Sequence, residues 1–116
     1  MSKVEIWHNP TCTKSKQVLF MLQDKGFDVD VRDILSDPPT IYQLQTALRK
    51  LDLDAIEITR VNEPRFRQLG LTPQTDDNTL IAAMSAHTML LQRPIVFCGD
   101  KAALGRPLEN VLDILP

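Results

Sequence analysis

Cys12 is the residue around which chemistry can be built. It falls between a β-prone stretch, Val4-Glu5-Ile6-Trp7, and a segment of helical spacing that begins at about Thr13. That position lies beside the unpaired N–H groups of a helix start, where partial positive charge favours thiolate over thiol. His8 stands four residues earlier, and Lys14 and Lys16 lie just beyond. An imidazolium or ammonium nearby lowers a thiol pKa further, each unit being worth about 1.4 kcal/mol of preference for the charged form. The competing reading is a small apolar packing residue. It suits poorly a cysteine flanked by Thr11, Thr13 and Lys14.

Spacing narrows the chemistry. A Cys-x-x-Cys pair needs a second cysteine where this chain has Ser15, and a phosphatase-type loop needs arginine where it has Val18. Cys12-Thr13-Lys14-Ser15 therefore reads as a monothiol site without a local resolving partner. The Ser15 hydroxyl either donates to the thiolate or satisfies itself locally, and the sequence leaves both open. Cys98 ends an apolar run and reads as an unreactive buried thiol. His87 reads as a helix-end residue, and Arg65 and Arg67 as surface charges.

The elements that must position Cys12 follow from periodicity. Val4–Trp7 alternates as a strand. From Thr13 to Lys25, Val18, Leu19 and Leu22 share a helical face, and Gly26 suits the stop. Phe27–Ile34 is a second strand candidate. Thr40 with Gln43 forms a capping box opening a helix to Leu51, along which Ile41, Leu44, Leu48 and Leu51 make a stripe. Short helical pieces follow near Ala55–Ile58 and Glu63–Leu69, and a longer helix from Asn78 to about His87. Pro94–Cys98 and Ala102–Leu104 read as strands around a Gly99-Asp100 turn. Pro107 opens a last helix carrying Leu108, Val111, Leu112 and Leu115. This pattern supports an α/β fold with a mixed sheet.

Length and composition set outer limits. The chain has 116 residues, enough for one domain with a single core. Thirteen basic against fifteen acidic residues give a net charge of -2, which argues against a nucleic-acid coat. No secretory signal is expected at the N-terminus, and no apolar run is long enough to span a bilayer. Two cysteines are too few for a disulfide scaffold or an all-cysteine zinc site. Reduced thiols in a cytoplasmic protein, with no metal and no bound cofactor, are the expectation.

His8-Asn9-Pro10-Thr11-Cys12-Thr13-Lys14-Ser15-Lys16 resembles the active-site segment of the glutathione/glutaredoxin-coupled arsenate reductase family. The resemblance continues through Leu35–Thr40, Thr59-Arg60, Glu63-Pro64 and Leu69-Gly70-Leu71. It resumes at Gln92–Val96 and closes with Gly105-Arg106-Pro107 and Val111–Pro116. It implies a thioredoxin/glutaredoxin-like mixed sheet in a single domain, 1–116, with a helical subdomain inserted at about 35–90. The order βαβ, helical block, ββα agrees with that arrangement.

The resemblance implies a role for each residue that matches the motif. Cys12 attacks arsenate, His8 aids its ionisation, and Arg60, Arg93 and Arg106 hold the oxyanion. Forked guanidinium donors suit that task, because an anionic thiolate must approach an anion. The bond before Pro94 is expected to be cis. Glutathione is the implied co-substrate, left as a mixed disulfide on Cys12 that glutaredoxin reduces as arsenite leaves. A monomer is expected. Taken singly, Arg60, Arg93 and Arg106 also read as ordinary solvated cations. Thr13-Lys14 and Thr59-Arg60 differ from what the best-studied reductases carry there, and Phe97–Lys101 resembles the family's housekeeping branch, so a glutathione-linked thiol oxidoreductase without arsenate activity is the nearest alternative. A second is a regulator of the Spx type, of the same fold, which binds RNA polymerase and carries a Cys-x-x-Cys switch that Ser15 breaks here.

Overall fold

Alternating apolar residues at Val4 and Ile6 place one face of strand β1 (Lys3–His8) in a core, whereas in β2 (Asp28–Asp33) only Val29 packs against that core, half-buried, and Val31 is exposed. Between them runs helix α1 (Thr13–Asp24), which buries Ser15, Val18 and Leu22 and stops before Gly26 at φ 85°. The computed structural model describes residues 3–116. It divides into two compact units, one reaching to Asp37 and resuming at Arg93–Pro116, the other spanning Pro38–Gln92.

The first unit holds a four-stranded sheet of order β2-β1-β3-β4, completed by β3 (Ile95–Cys98) and β4 (Lys101–Leu104). β1 runs parallel to β2 and antiparallel to β3, and β3 is antiparallel to β4. This is a mixed α/β sheet of thioredoxin-like arrangement. In register, Ile6 faces Val31 on one side and Val96 on the other, and Val96 faces Ala103. Val4, Ile6, Val96 and Ala103 thus form one sheet face, which packs with Val18 and Leu22 of α1 and with Val111. The opposite face carries Trp7 and Phe97, whose rings meet at 4.8 Å, with the Arg32 guanidinium 5.8 Å from the Trp7 ring centre.

The chain after Pro107 departs from the expected helix. Only Glu109–Leu112 is α-helical. Asn110, Val111, Ile114 and Leu115 each donate to the carbonyl three residues back, so the segment closes in successive tight turns. The Leu108 and Val111 spacing is served equally by such turns.

The second unit is helical. α2 (Ile41–Leu51) starts from Thr40, whose Oγ1 accepts from Gln43 N at 3.1 Å while Thr40 N donates to Gln43 Oε1 at 3.0 Å. A 3-10 turn at Ala55–Ile58, α3 (Pro64–Gln68) and α4 (Asp77–Ala86) follow, α4 being capped by Asp76. A 3-10 turn at Thr88–Leu90 precedes the bridge between Thr59 and Leu91. Leu44, Ile58, Leu80, Met84 and Leu90 are fully buried. Among the described residues no helix is long and apolar enough to cross a membrane.

Candidate active site

The loop from β1 to α1 is built by one asparagine. Asn9 Oδ1 accepts from both the N–H and the hydroxyl of Thr11, at 2.9 and 2.8 Å, which folds a tight turn. The Asn9 carbonyl accepts from Cys12 N at 3.0 Å, and the Cys12 carbonyl accepts from Lys16 N at 3.0 Å, the first helical bond of α1. Cys12 is therefore the N-cap, with extended backbone at φ −97°, and its sulfur stands over the first helical turn.

Two arginines from the loops flanking β3 and β4 complete the surroundings. Arg106 Nη2 donates to Cys12 Sγ at 3.0 Å, and Arg106 Nε donates to the Arg93 carbonyl at 3.0 Å. One guanidinium thus ties the thiol to the backbone of the second arginine. Arg93 also acts on the sulfur through its side chain, yet its Nε is buried without a hydrogen-bond partner. A buried donor of that kind calls for an acceptor. The Arg93–Pro94 peptide is cis, as expected, and so is Arg106–Pro107.

These contacts set the charge of the thiol. Burial, the largest single influence, would raise the Cys12 pKa. The Ser15 N–H, the Arg93 side chain, the Lys14 N–H and the Arg106 charge together outweigh it and bring the value down to about 7. No strict capping hydrogen bond reaches the sulfur, so the N–H groups act mainly as aligned dipoles. Lys14 contributes through its backbone rather than its ammonium.

The side chains of His8 and Ser15 are joined to each other. His8 is only 6% exposed, and burial holds its pKa below 6.5 even though Asp33 pulls the other way; Lys16 adds to the lowering. Burial thus disfavours the imidazolium at this position. The His8 Nδ1 lies 2.6 Å from Ser15 Oγ, which also accepts from Asn9 N at 3.1 Å. The hydroxyl is held by the loop, and it is the Ser15 N–H that favours the thiolate. The side-chain contact of His8 is therefore with Ser15 and the turn.

His8, Cys12, Ser15, Arg93 and Arg106 all belong to the first unit. Arg60 belongs to the second, where its Nη1 pairs with Glu63 at 3.3 Å and donates to the Met89 carbonyl at 3.3 Å. Cys98 ends β3, half-buried and packed against the core. His87 ends α4, and Arg65 and Arg67 are exposed on α3. Among the described residues no cluster of His, Cys, Asp or Glu is placed to hold a metal ion.

Two residues of the site escaped the sequence reading. Asn9 was legible as a turn former in Asn9-Pro10-Thr11, but nothing in the pattern showed that it is buried, at 4% exposure, and shapes the thiol loop. Gly105 has no local signal at all. Its N–H donates to the Pro94 carbonyl at 2.9 Å, and a Cβ there would overlap the Pro94 ring and stand 3.1 Å from Val18 Cγ2. Glycine is needed because the chain that delivers Arg106 passes against the proline that follows Arg93.

Residues 7–114 match the family model described as the ArsC family. An arsenate reductase of Neisseria meningitidis serogroup A is 39% identical over 117 residues, covering 99% of this chain and 100% of the relative. One of Haemophilus influenzae is 37% identical, covering 97% and 98%. The solved arsenate reductase from Vibrio cholerae superposes with a TM-score of 0.94 at 37% identity, covering 98% of each chain.

Proposed function

The chain belongs to the ArsC family, and on that footing we propose that it is an arsenate reductase whose nucleophile is Cys12 and whose electrons come from glutathione and glutaredoxin. The observation that carries the reading is the thiol with two guanidinium groups upon it, Arg106 at 3.0 Å and Arg93 beside it. A pKa of about 7 leaves about half of Cys12 ionised at neutral pH. The same two cations offset the repulsion between thiolate and oxyanion, and the unpartnered Arg93 Nε is a donor that an oxyanion oxygen would satisfy. Arg60 is assigned to the oxyanion by its position in the family motif alone.

In the first step the Cys12 sulfur forms a bond to arsenic(V), and one arsenate oxygen leaves as water with protons from the oxyanion and solvent. Glutathione then attacks the Cys12 sulfur. A sulfur–sulfur bond forms as the sulfur–arsenic bond breaks, the two sulfurs together lose two electrons, and arsenic(III) departs as arsenite with the thiol proton. The mixed disulfide on Cys12 is reduced by a second thiol, that of glutaredoxin, because Ser15 supplies none.

Steady-state arsenate reduction with glutathione and glutaredoxin tests the reading. Wild-type protein turns over and Cys12→Ser does not. Arg106→Ala retains the fold but loses about a hundredfold in kcat/KM, the loss expected for an oxyanion donor. Full activity in Cys12→Ser, or exchange of glutathione mixed disulfides with no arsenate reduction in wild type, would overturn it. The second result would instead select a thiol oxidoreductase.

A further inference from the structure

A cleft of about 290 Å³ opens beside Arg106, between α1 and the loop from Gly105 to Glu109. Lys14, Gln17 and Val18 line one side, at the spacing that puts them on one face of α1. Val18 and Gly105 are buried and form its floor, and Pro107 and Leu108 give it an apolar wall. Lys14 and Glu109 stand on its two banks with opposite charge, both exposed. Neither makes an ion pair or side-chain hydrogen bond with any described residue. The cleft meets the thiol through one side chain, since Arg106 lines it and also donates to Cys12 Sγ at 3.0 Å.

We infer that this cleft is the docking subsite of the reducing thiol, and that it takes a small zwitterionic thiol peptide with carboxylate and ammonium groups. The inference rests on the reading of Cys12 as a thiol that takes electrons from another thiol. A carboxylate of the peptide pairs with Lys14, its ammonium pairs with Glu109, and its amide groups meet Gln17. The apolar wall covers the peptide's methylene groups. An oxyanion alone has no use for Glu109, whose charge would repel it. A zwitterion uses both banks.

The test follows the charge of Glu109. The rate at which Cys12 is converted to its mixed disulfide is measured with glutathione disulfide and with neutral bis(2-hydroxyethyl) disulfide. In each case the thiolate attacks one sulfur and the other leaves as thiolate, so no further oxidant is needed. Glutathione disulfide is anionic overall. If it were drawn only by the positive field around the thiol, Glu109→Gln would speed its reaction. Docking of the ammonium predicts the opposite: Glu109→Gln lowers the ratio of the two rates, and Lys14→Gln/Glu109→Gln lowers it about fivefold, the loss expected of two exposed ion pairs. The disulfide of N-acetylated glutathione, which lacks the ammonium and is more anionic, is not slowed by Glu109→Gln and reacts at the same rate or faster. A ratio that rises or stays level in Glu109→Gln overturns the subsite while leaving arsenate reduction by wild type intact. A wild-type Cys12 that reacts with neither disulfide and reduces no arsenate overturns the subsite and the proposed function together.

Discussion

A cysteine at an N-cap is common chemistry, and what distinguishes Cys12 is which groups lower its pKa. Backbone N–H groups of Ser15 and Lys14 and the cations of Arg93 and Arg106 act on it together, against burial. Alkylation by iodoacetamide reports thiolate directly, so its rate against pH is expected to rise with a midpoint of about 7. Arg106→Ala removes a donor at 3.0 Å and shifts that midpoint upward, toward the ordinary thiol value of about 8.5. Ser15→Ala separates two explanations. If the hydroxyl stabilised the thiolate, the midpoint would rise; because the N–H remains in alanine, it is expected to stay near its wild-type position. The variant has another cost, since the buried N–H of Asn9 and Nδ1 of His8 lose their partner. Urea unfolding should show a loss of about 1–3 kcal/mol, the usual range for stranding a buried polar group.

At the level of elements, the site depends on how closely two loops pass. Arg93 precedes Pro94 and Arg106 follows Gly105, and the Gly105 N–H donates to the Pro94 carbonyl at 2.9 Å. Gly105→Ala puts a methyl into the Pro94 ring and against Val18, neither of which can yield without moving β3 or α1. An overpacking cost of about 1–3 kcal/mol is expected in urea. Displacement of Arg106 should also raise the midpoint of Cys12 alkylation. A variant that lost stability with no change in that midpoint would show that Gly105 serves packing alone. This dependence marks the limit of what was legible beforehand. The strand–turn–helix around Cys12 and the Thr40 capping box follow from local residue types, which is why their bounds were readable. The Gly105–Pro94 approach is a contact between loops remote in sequence, and no periodicity encodes it. The burial of His8 was hidden for the same reason, because it is set by neighbours that the pattern does not show. The last helix was over-read because Leu108, Val111 and Leu112 fit tight turns as well as an α-helix.

Across the whole molecule, Cys12 links the chemistry of the site to the stability of the fold. Its pKa is about 7 when folded, against about 8.5 for a free thiol, so within that window the unfolded chain holds a proton that the native chain lacks. Stability contributed by the thiolate is therefore fully present above the unfolded value and is lost as pH falls through the folded one. Cys98 is a second free thiol, present in both proteins compared. The contribution is read as a difference between wild type and Cys12→Ser, which keeps everything but the titrating sulfur. With reductant present, the urea midpoint of wild type relative to Cys12→Ser is expected to climb between pH 6 and pH 9. The climb will be modest, because Cys12 is only partly buried and solvent screens its partners. Arg106→Ala should flatten it, since the partner that holds the thiolate is gone. A difference that stays level across the range in wild type would mean that the arginines hold the thiol without favouring its charged form, and the anion site would then have to be sought elsewhere.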